Sequence, residues 1–178
     1  MSTTVHVVGT GTIGEPLTGL LVDNKEALGL DEVTFMKRTP LLTDRSKVTD
    51  LQRRGAKLAV LPDRWNAFEE LGLTPDMKDD EGLAGATVVI DCTPVGNNHK
   101  ERYEALDGPV GFMAQGSEFG FGKMYARGIN DEALVHGEDR FLHIVSCNTH
   151  NMSALIKTLG FDEDGTNHLV DGRFNLLR

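Results

Sequence analysis

Cysteine is scarce: Cys92 and Cys147 are the two in the chain, too few for a disulfide framework. Positive charge is in deficit, with 18 Lys and Arg against 27 Asp and Glu and a net charge of −9. That balance argues against general binding to nucleic acid or to an anionic membrane surface. No stretch approaches the roughly 18 to 20 apolar residues that a membrane-spanning helix needs. The opening MSTTVHVVG has no basic segment and no cleavage signature, so it reads as the start of a fold rather than a secretory signal, and the expected compartment is the cytoplasm. Repeats and low-complexity tracts are missing, and the 20 glycines follow no collagen-like period. The six histidines are scattered and no His/Cys/Asp cluster has ligand spacing, so no metal is expected.

What is present is a chain of 178 residues at 39% hydrophobic. That is apolar enough to fold and long enough for one domain, or one domain plus part of another. Short apolar, β-branched runs alternate with amphipathic segments, the pattern of a parallel sheet covered by helices. The runs are Thr4–Val8, Val33–Lys37, Lys57–Leu61, Thr87–Cys92, Val110–Ala114 and Phe141–Ser146. Ile13, Leu17, Leu20 and Leu21 predict one face of a first helix. Shorter, polar helices are expected over Thr43–Arg54 and Arg64–Leu71, and Met152, Leu155, Ile156 and Leu159 predict a last one that Gly160 ends. Beyond it an acidic, turn-rich stretch leads to the apolar run Phe174–Leu177. That run is either the start of a further element or an edge strand closing the sheet.

The first strand runs into Gly9-Thr10-Gly11-Thr12-Ile13-Gly14, a G-x-G-x-x-G followed by the first helix. Strand before and helix after give this weak pattern its dinucleotide-binding context, and with it a Rossmann-type doubly wound, mostly parallel α/β fold with helices on both faces. Gly9 permits the tight turn, Gly11 lets the backbone approach a pyrophosphate, and Gly14 lets helix pack on strand. The amides of Thr12 and Ile13 face the phosphates at the positive end of the helix dipole. A glycine-rich turn without a ligand is the plain alternative.

An NAD-selective site carries an acid at the end of the second strand. Here that position reads Met36-Lys37-Arg38-Thr39, and from Lys37 to Arg64 eight Lys or Arg stand against three Asp. A 2′-phosphate needs such charge, so NADP is the expected cofactor in preference to NAD. Lys37, Arg38 and Thr39 are the residues placed for it; most of the other cations belong to the wet face of a helix.

Ser146-Cys147-Asn148-Thr149 ends the last strand and opens the last helix. A thiol at a helix N-terminus has its thiolate stabilised there and becomes a nucleophile. Asn148 and Thr149 add donors for a substrate oxygen or phosphate. Cys92, inside an apolar strand, reads as a small buried residue.

Taken in order, GTGTIG (9–14), KRTP (37–40), RRGAKLAVLPDRWNAFEELGL (53–73), VVIDCTPVG (88–96), QGSE (115–118) and HIVSCNT (143–149) resemble the N-terminal half of archaeal-type (type II) glyceraldehyde-3-phosphate dehydrogenases. The likeness covers nearly all of residues 4 to 160. It implies a cytoplasmic, usually tetrameric enzyme that oxidises glyceraldehyde 3-phosphate with NAD(P) and inorganic phosphate. By position Cys147 is then the catalytic nucleophile, and Ser146, Asn148 and Thr149 bind substrate. Gly9, Gly11, Thr12, Ile13 and Gly14 form the cofactor-phosphate turn, and Thr93, Pro94, Gly116 and Ser117 line the cofactor. The chain divides into a cofactor-binding domain, 1–146, and a nucleophile helix with the beginning of a catalytic domain, 147–178.

Three departures stand out. The family usually has a second glycine where this chain has Ser117, and a small or hydroxyl residue where it has His150. The family also continues for about as many residues again, into a sheet that carries the histidine general base. Without that part the chain is expected to bind cofactor and to be catalytically incomplete. Two other readings compete: a stand-alone NADP-binding or redox-sensing module with a reactive but non-catalytic Cys147, and another aldehyde-handling enzyme such as an aspartate-semialdehyde dehydrogenase. The SCNT string and the colinear segments favour the first reading.

Overall fold

Residues 2–116 and 119–176 are described by a computed structural model. β1 (Thr4–Val8), Thr-Val-His-Val-Val, is buried along its whole length. It pairs in parallel with β2 (Glu32–Met36) on one side and β5 (Val88–Asp91) on the other. β3 (Lys57–Val60), β4 (Met77–Lys78), β6 (Gly111–Gly116), β7 (Lys123–Tyr125) and β8 (Phe141–Val145) complete an eight-stranded sheet. Its order is β4-β3-β2-β1-β5-β6-β8-β7, and every described pairing is parallel. The expected doubly wound α/β fold is what forms.

Alternation along the strands divides the core. Val5, Val7, Phe35, Leu58 and Val60 point into one cluster, together with Val48, Leu51 and Phe68. Those three come from α2 (Arg45–Arg53) and α3 (Trp65–Glu70). Val8, Met36, Ala59, Val89 and Phe112 point the other way, onto Leu83 of α4 (Asp79–Gly85) and Tyr103 of α5 (Lys100–Glu104). A strand buried on both faces needs apolar residues at nearly every position, and the fourth expected run, Thr87–Cys92, is nearly continuous in them.

The first helix, α1 (Gly14–Asp23), departs from its expected face. Leu17 and Leu21 pack on the core, but Ile13 and Leu20 are 49% and 60% exposed. The buried positions are instead Gly14, Thr18 and Gly19: Gly14 lies against the Gly9 carbonyl at the strand end, and Gly19 under the Arg54 guanidinium. Small residues let the helix axis come near the sheet, and a count of large apolar residues overlooks them. Four elements had no expected counterpart. β4 and β7 are two and three residues long, and α5 is five residues long. The fourth, α4, reads DDEGLAG, with no apolar period; its acids sit in the first turn where the dipole favours them.

The last helix, α6 (Cys147–Gly160), ends at Gly160 as expected. Its apolar stripe is only part covered, with Leu155 and Leu159 exposed. The run beginning at Phe174 forms no strand over its described residues, which lie exposed, so the edge-strand expectation does not hold there; Leu177 and Arg178 are outside the described residues. No helix among the described residues is long and apolar enough to cross a membrane.

Candidate functional site

Parallel strands in register put all their carboxyl ends on one edge. Val8 is level with Met36 and with Asp91, Asp91 with Ala114, and Ala114 with His143. One to three residues past this row come Gly9–Gly14, Lys37–Thr39, Thr93–Pro94, the end of β6 at Gly116, and Ser146–Thr149. Strand order reverses between β1 and β5, and in open α/β sheets the crevice at that reversal is where ligands bind. Cys147 follows β8, three strands from β1, which is roughly 14 Å at about 4.8 Å per strand. Ser117 lies outside the described residues.

The glycine turn is built by contact. Gly9 has φ +93°, a conformation that side chains other than glycine rarely adopt, and its N–H donates to the Met36 carbonyl at 3.2 Å. A Cβ on Gly14 would stand 1.9 Å from the Gly9 carbonyl oxygen, so no other residue fits there. Gly11 is different: a Cβ there meets no protein atom within 4 Å. Packing does not require glycine at that position. Ile13 occupies the N-cap of α1 without a capping side chain; in the first turn Glu15 N–H donates to the Gly11 carbonyl at 3.2 Å and Pro16 has no N–H, so the amides turned to a ligand are those just ahead, at Thr12 and Ile13.

In front of them lies a cavity of about 620 Å³ lined by Gly9–Thr12, Glu15, Pro16, Lys37–Thr39, Asp44 and Lys47. Its charges are largely paired. The Lys37 ammonium, buried, donates to Asp44 at 2.6 Å, and Lys47 meets Glu15 at 3.3 Å. Arg38 makes no ion pair among the described residues. Part of the basic excess between Lys37 and Arg64 is paired in the same way elsewhere, as Arg54 bonds Asp23 and Lys57 bonds Glu32. Sequence reasoning looked for an acid at the end of β2 and missed Asp44, which the following turn brings back to the cavity.

Across the crevice a buried carboxylate organises the next loop. Asp91 Oδ1 accepts from the Thr93 amide at 2.8 Å and hydroxyl at 2.6 Å. Its Oδ2 accepts from the Tyr103 hydroxyl at 2.7 Å and lies 2.7 Å from His99 Nδ1. Burial first, and the Asp91 charge second, push the Tyr103 hydroxyl above its ordinary range. The same two causes push the Cys92 thiol up to about 12, so Cys92 is a protonated packing residue.

Cys147 is exposed at the first position of α6. Ser146 is the N-cap: its Oγ accepts from the Thr149 amide at 3.3 Å and lies 2.9 Å from the Thr149 hydroxyl. These two hydroxyls therefore also hold the helix start in place. His150 is half-buried, with Nε2 3.0 Å from the Arg127 carbonyl. Sequence reasoning also missed His143. It is buried on β8, with Nε2 3.2 Å from the Gly116 carbonyl, and so ties the end of β6 to the strand that leads to Cys147. An apolar run with one histidine in it carries no signal for that role.

No protein-family model matches the chain. Similar curated proteins are glyceraldehyde-3-phosphate dehydrogenases. That of Pyrobaculum arsenaticum is 28% identical over 158 residues, covering 87% of this chain and 43% of the relative. That of Methanococcoides burtonii is 30% identical over 165 residues, covering 87% and 44%. That of Methanobrevibacter smithii is 25% identical over 160 residues, with the same coverage of 87% and 44%. The chain thus spans less than half the length of the curated relatives it matches.

Proposed function

We infer that this chain, homologous to the archaeal-type glyceraldehyde-3-phosphate dehydrogenases over 87% of its length, is the cofactor-binding and nucleophile-bearing part of such an enzyme. The observation that carries the reading is the shared carboxyl edge. A glycine turn closed by the Gly9–Gly14 contact stands at the strand-order reversal, and an exposed cysteine opens a helix on the same edge. The residues suit a nicotinamide dinucleotide. Gly9, Gly11, Gly14 and the amides of Thr12 and Ile13 would hold its pyrophosphate. Lys37, Arg38 and Thr39 would take the adenosine end, and Thr93, Pro94 and Gly116 would line the remainder, with Ser117 beyond it. NADP is the favoured form because no acid ends β2 and Arg38 has no ion-pair partner among the described residues; NAD is the second.

In this reading the Cys147 thiolate adds to the aldehyde carbon of glyceraldehyde 3-phosphate and forms a C–S bond. Ser146, Asn148 and Thr149 hold the oxygen that develops charge. The bound dinucleotide supplies the hydride acceptor, and loss of hydride and of the hydroxyl proton leaves a thioester on Cys147. Inorganic phosphate then attacks the acyl carbon, the C–S bond breaks, and 1,3-bisphosphoglycerate departs as the thiolate returns. A general base is worth roughly 10²- to 10⁴-fold in such a step. Among the described residues neither His143 nor His150 makes a hydrogen bond to Cys147, their Nε2 atoms lying on the Gly116 and Arg127 carbonyls, so that base would come from elsewhere, as from another copy in a homo-oligomer, a tetramer by the resemblance. The domain division at residues 146 and 147 and a cytoplasmic setting belong to the same proposal.

The test is titration of the purified chain with NADPH and NADH by nucleotide fluorescence. Phosphate-dependent reduction of NADP with glyceraldehyde 3-phosphate is measured beside it. Binding with weak or no turnover is expected. Robust turnover by the 178-residue chain would refute the incomplete-site reading, and no binding would refute the cofactor reading. Binding with Cys147→Ser indistinguishable from wild type in every assay, substrate adduct formation included, would favour the second reading, a dinucleotide-binding or redox module without turnover.

A further inference from the structure

Pairing within the chain leaves two arginines of α2 over. Arg45 and Arg53, its first and last residues, are exposed and make no ion pair among the described residues. They flank a cavity of about 480 Å³ completed by Leu42, Ser46 and Thr49, with no acid in its lining. Eight residues at about 1.5 Å each set the two roughly 12 Å apart along the helix, with Thr49 midway. Side chains as long as arginine can close on one group from both ends. At the other end of the sheet the chain past α6 turns back on itself. Phe161 and Asn167 form an antiparallel bridge, and inside it the Asp162 N–H donates to the Thr166 carbonyl at 3.1 Å. The Asp162 carboxylate is used within the turn, accepting from the Asp164 and Thr166 amides at 3.1 and 2.8 Å and lying 2.8 Å from His168 Nε2. Glu163 and Asp164 are left at the tip, exposed and without an ion-pair partner among the described residues. Lys157 fastens α6 beside β7, donating to the Gly128 carbonyl at 2.7 Å, whereas α2 puts Val48 and Leu51 in one cluster with Leu58 of β3. Six strand steps separate β3 from β7, roughly 29 Å at about 4.8 Å per strand, so the tip and the cavity of one chain do not meet.

We propose that two copies of this chain pair reciprocally, the Glu163–Asp164 tip of each seated between Arg45 and Arg53 on α2 of the other. Guanidinium forks match carboxylates two bonds at a time, and the Ser46 and Thr49 hydroxyls donate to the carboxylate oxygens that the arginines leave. The turn that presents the two acids is already built in the single chain, so docking orders little and loses little entropy. Two identical contacts about one twofold axis close the assembly at a dimer, where a single head-to-tail contact would run on. Exposed ion pairs are individually weak and are screened by salt, so the dimer is a low-affinity, salt-dependent one. It uses neither the glycine turn nor Cys147, and it stands or falls separately from the cofactor reading.

The experiment is analytical ultracentrifugation of the whole chain over a concentration series at two ionic strengths. A dimer is expected at about 0.01 M salt, where charges act over about 30 Å, and a monomer at about 1 M, where they act over about 3 Å. Two charge-reversed chains follow, Arg45→Glu with Arg53→Glu, and Glu163→Lys with Asp164→Lys. All four side chains are exposed, so circular dichroism should show both chains folded. Each alone should dimerise at least about tenfold more weakly than wild type, because like charges then face each other. Mixed in equal amounts they should form a dimer again, since each reversed surface meets its opposite. A wild-type chain that stays monomeric in low salt overturns the proposal. So does a dimer that persists in high salt or in either variant, and so do two monomeric variants that fail to pair on mixing. NADPH titration of both variants should match wild type. A wild-type chain that dimerises but binds no NADPH refutes the cofactor reading and leaves the dimer standing.

Discussion

Replacing Gly14 and Gly11 separately by alanine separates what packing demands of the glycine turn from what a ligand demands. A Cβ at Gly14 lies 1.9 Å from the Gly9 oxygen, 2.9 Å from its carbonyl carbon and 3.1 Å from Cys92 Cβ. Relief requires backbone on both sides to part by at least about 1 Å, in a place where overpacking costs about 2 to 3 kcal/mol. Alanine's better helix propensity offsets less than about 1 kcal/mol of that. Gly14→Ala should therefore lose about 2 kcal/mol; with a urea slope of roughly 2 kcal/mol/M the unfolding midpoint falls by about 1 M. Gly11→Ala, with no protein atom within 4 Å of its Cβ, should unfold within about 0.5 kcal/mol of wild type. It should nonetheless lose NADPH affinity, because the added methyl stands where the pyrophosphate would come against the backbone. Circular dichroism in urea and nucleotide fluorescence read the two effects independently. A Gly14→Ala chain with an unchanged midpoint refutes the packing argument, and a Gly11→Ala chain with undiminished affinity refutes the ligand argument.

Other expectations follow from the buried polar groups. Burial alone would raise the Asp79 carboxyl, but His6, with Nε2 3.6 Å from Oδ1, and the Arg102 guanidinium, which donates to Oδ2 at 2.7 Å, outweigh it and hold the group below its ordinary value. Its stabilisation is therefore complete above the unfolded carboxylate pKa and fades as pH falls through the lowered folded one. Thermal melts from pH 6 to pH 2 should show that loss, and Asp79→Asn, about 2 kcal/mol less stable near neutrality, should show a shallower acid slope; an identical slope in both would disprove it. Iodoacetamide with peptide mass spectrometry should label exposed Cys147 in the folded chain and spare Cys92, whose thiol is buried and pushed up to about 12; early labelling of Cys92 would contradict this. Tyr103→Phe removes one donor from buried Asp91 and should cost about 1 to 2 kcal/mol in urea unfolding. Asp91→Ala should in addition weaken NADPH by loosening the Thr93 loop, and unchanged affinity would sever the loop from the site.

Local pattern alone was enough for β1, β2, β3, β5, β6 and β8, because a strand covered on both faces must be apolar at nearly every position. It was enough as well for the glycine turn and for the placing of Cys147 at a strand end. These follow from the chain's own covalent order, since strand, turn and helix are consecutive. Charge was legible only as a sum. Which cations stay available depends on Lys37 meeting Asp44, Arg54 meeting Asp23 and Lys57 meeting Glu32, and residues up to 31 positions apart are brought together only by strand pairing and helix packing. The face of α1 depended on how near the helix comes to the sheet, which small residues decide and hydrophobic spacing does not record. His6, Asp79 and Arg102 look like unrelated polar residues in a line of text. They come together only after β1, α4 and α5 close on each other, with His6 and Asp79 buried and Arg102 reaching in from the surface, since a desolvated charge must find a partner.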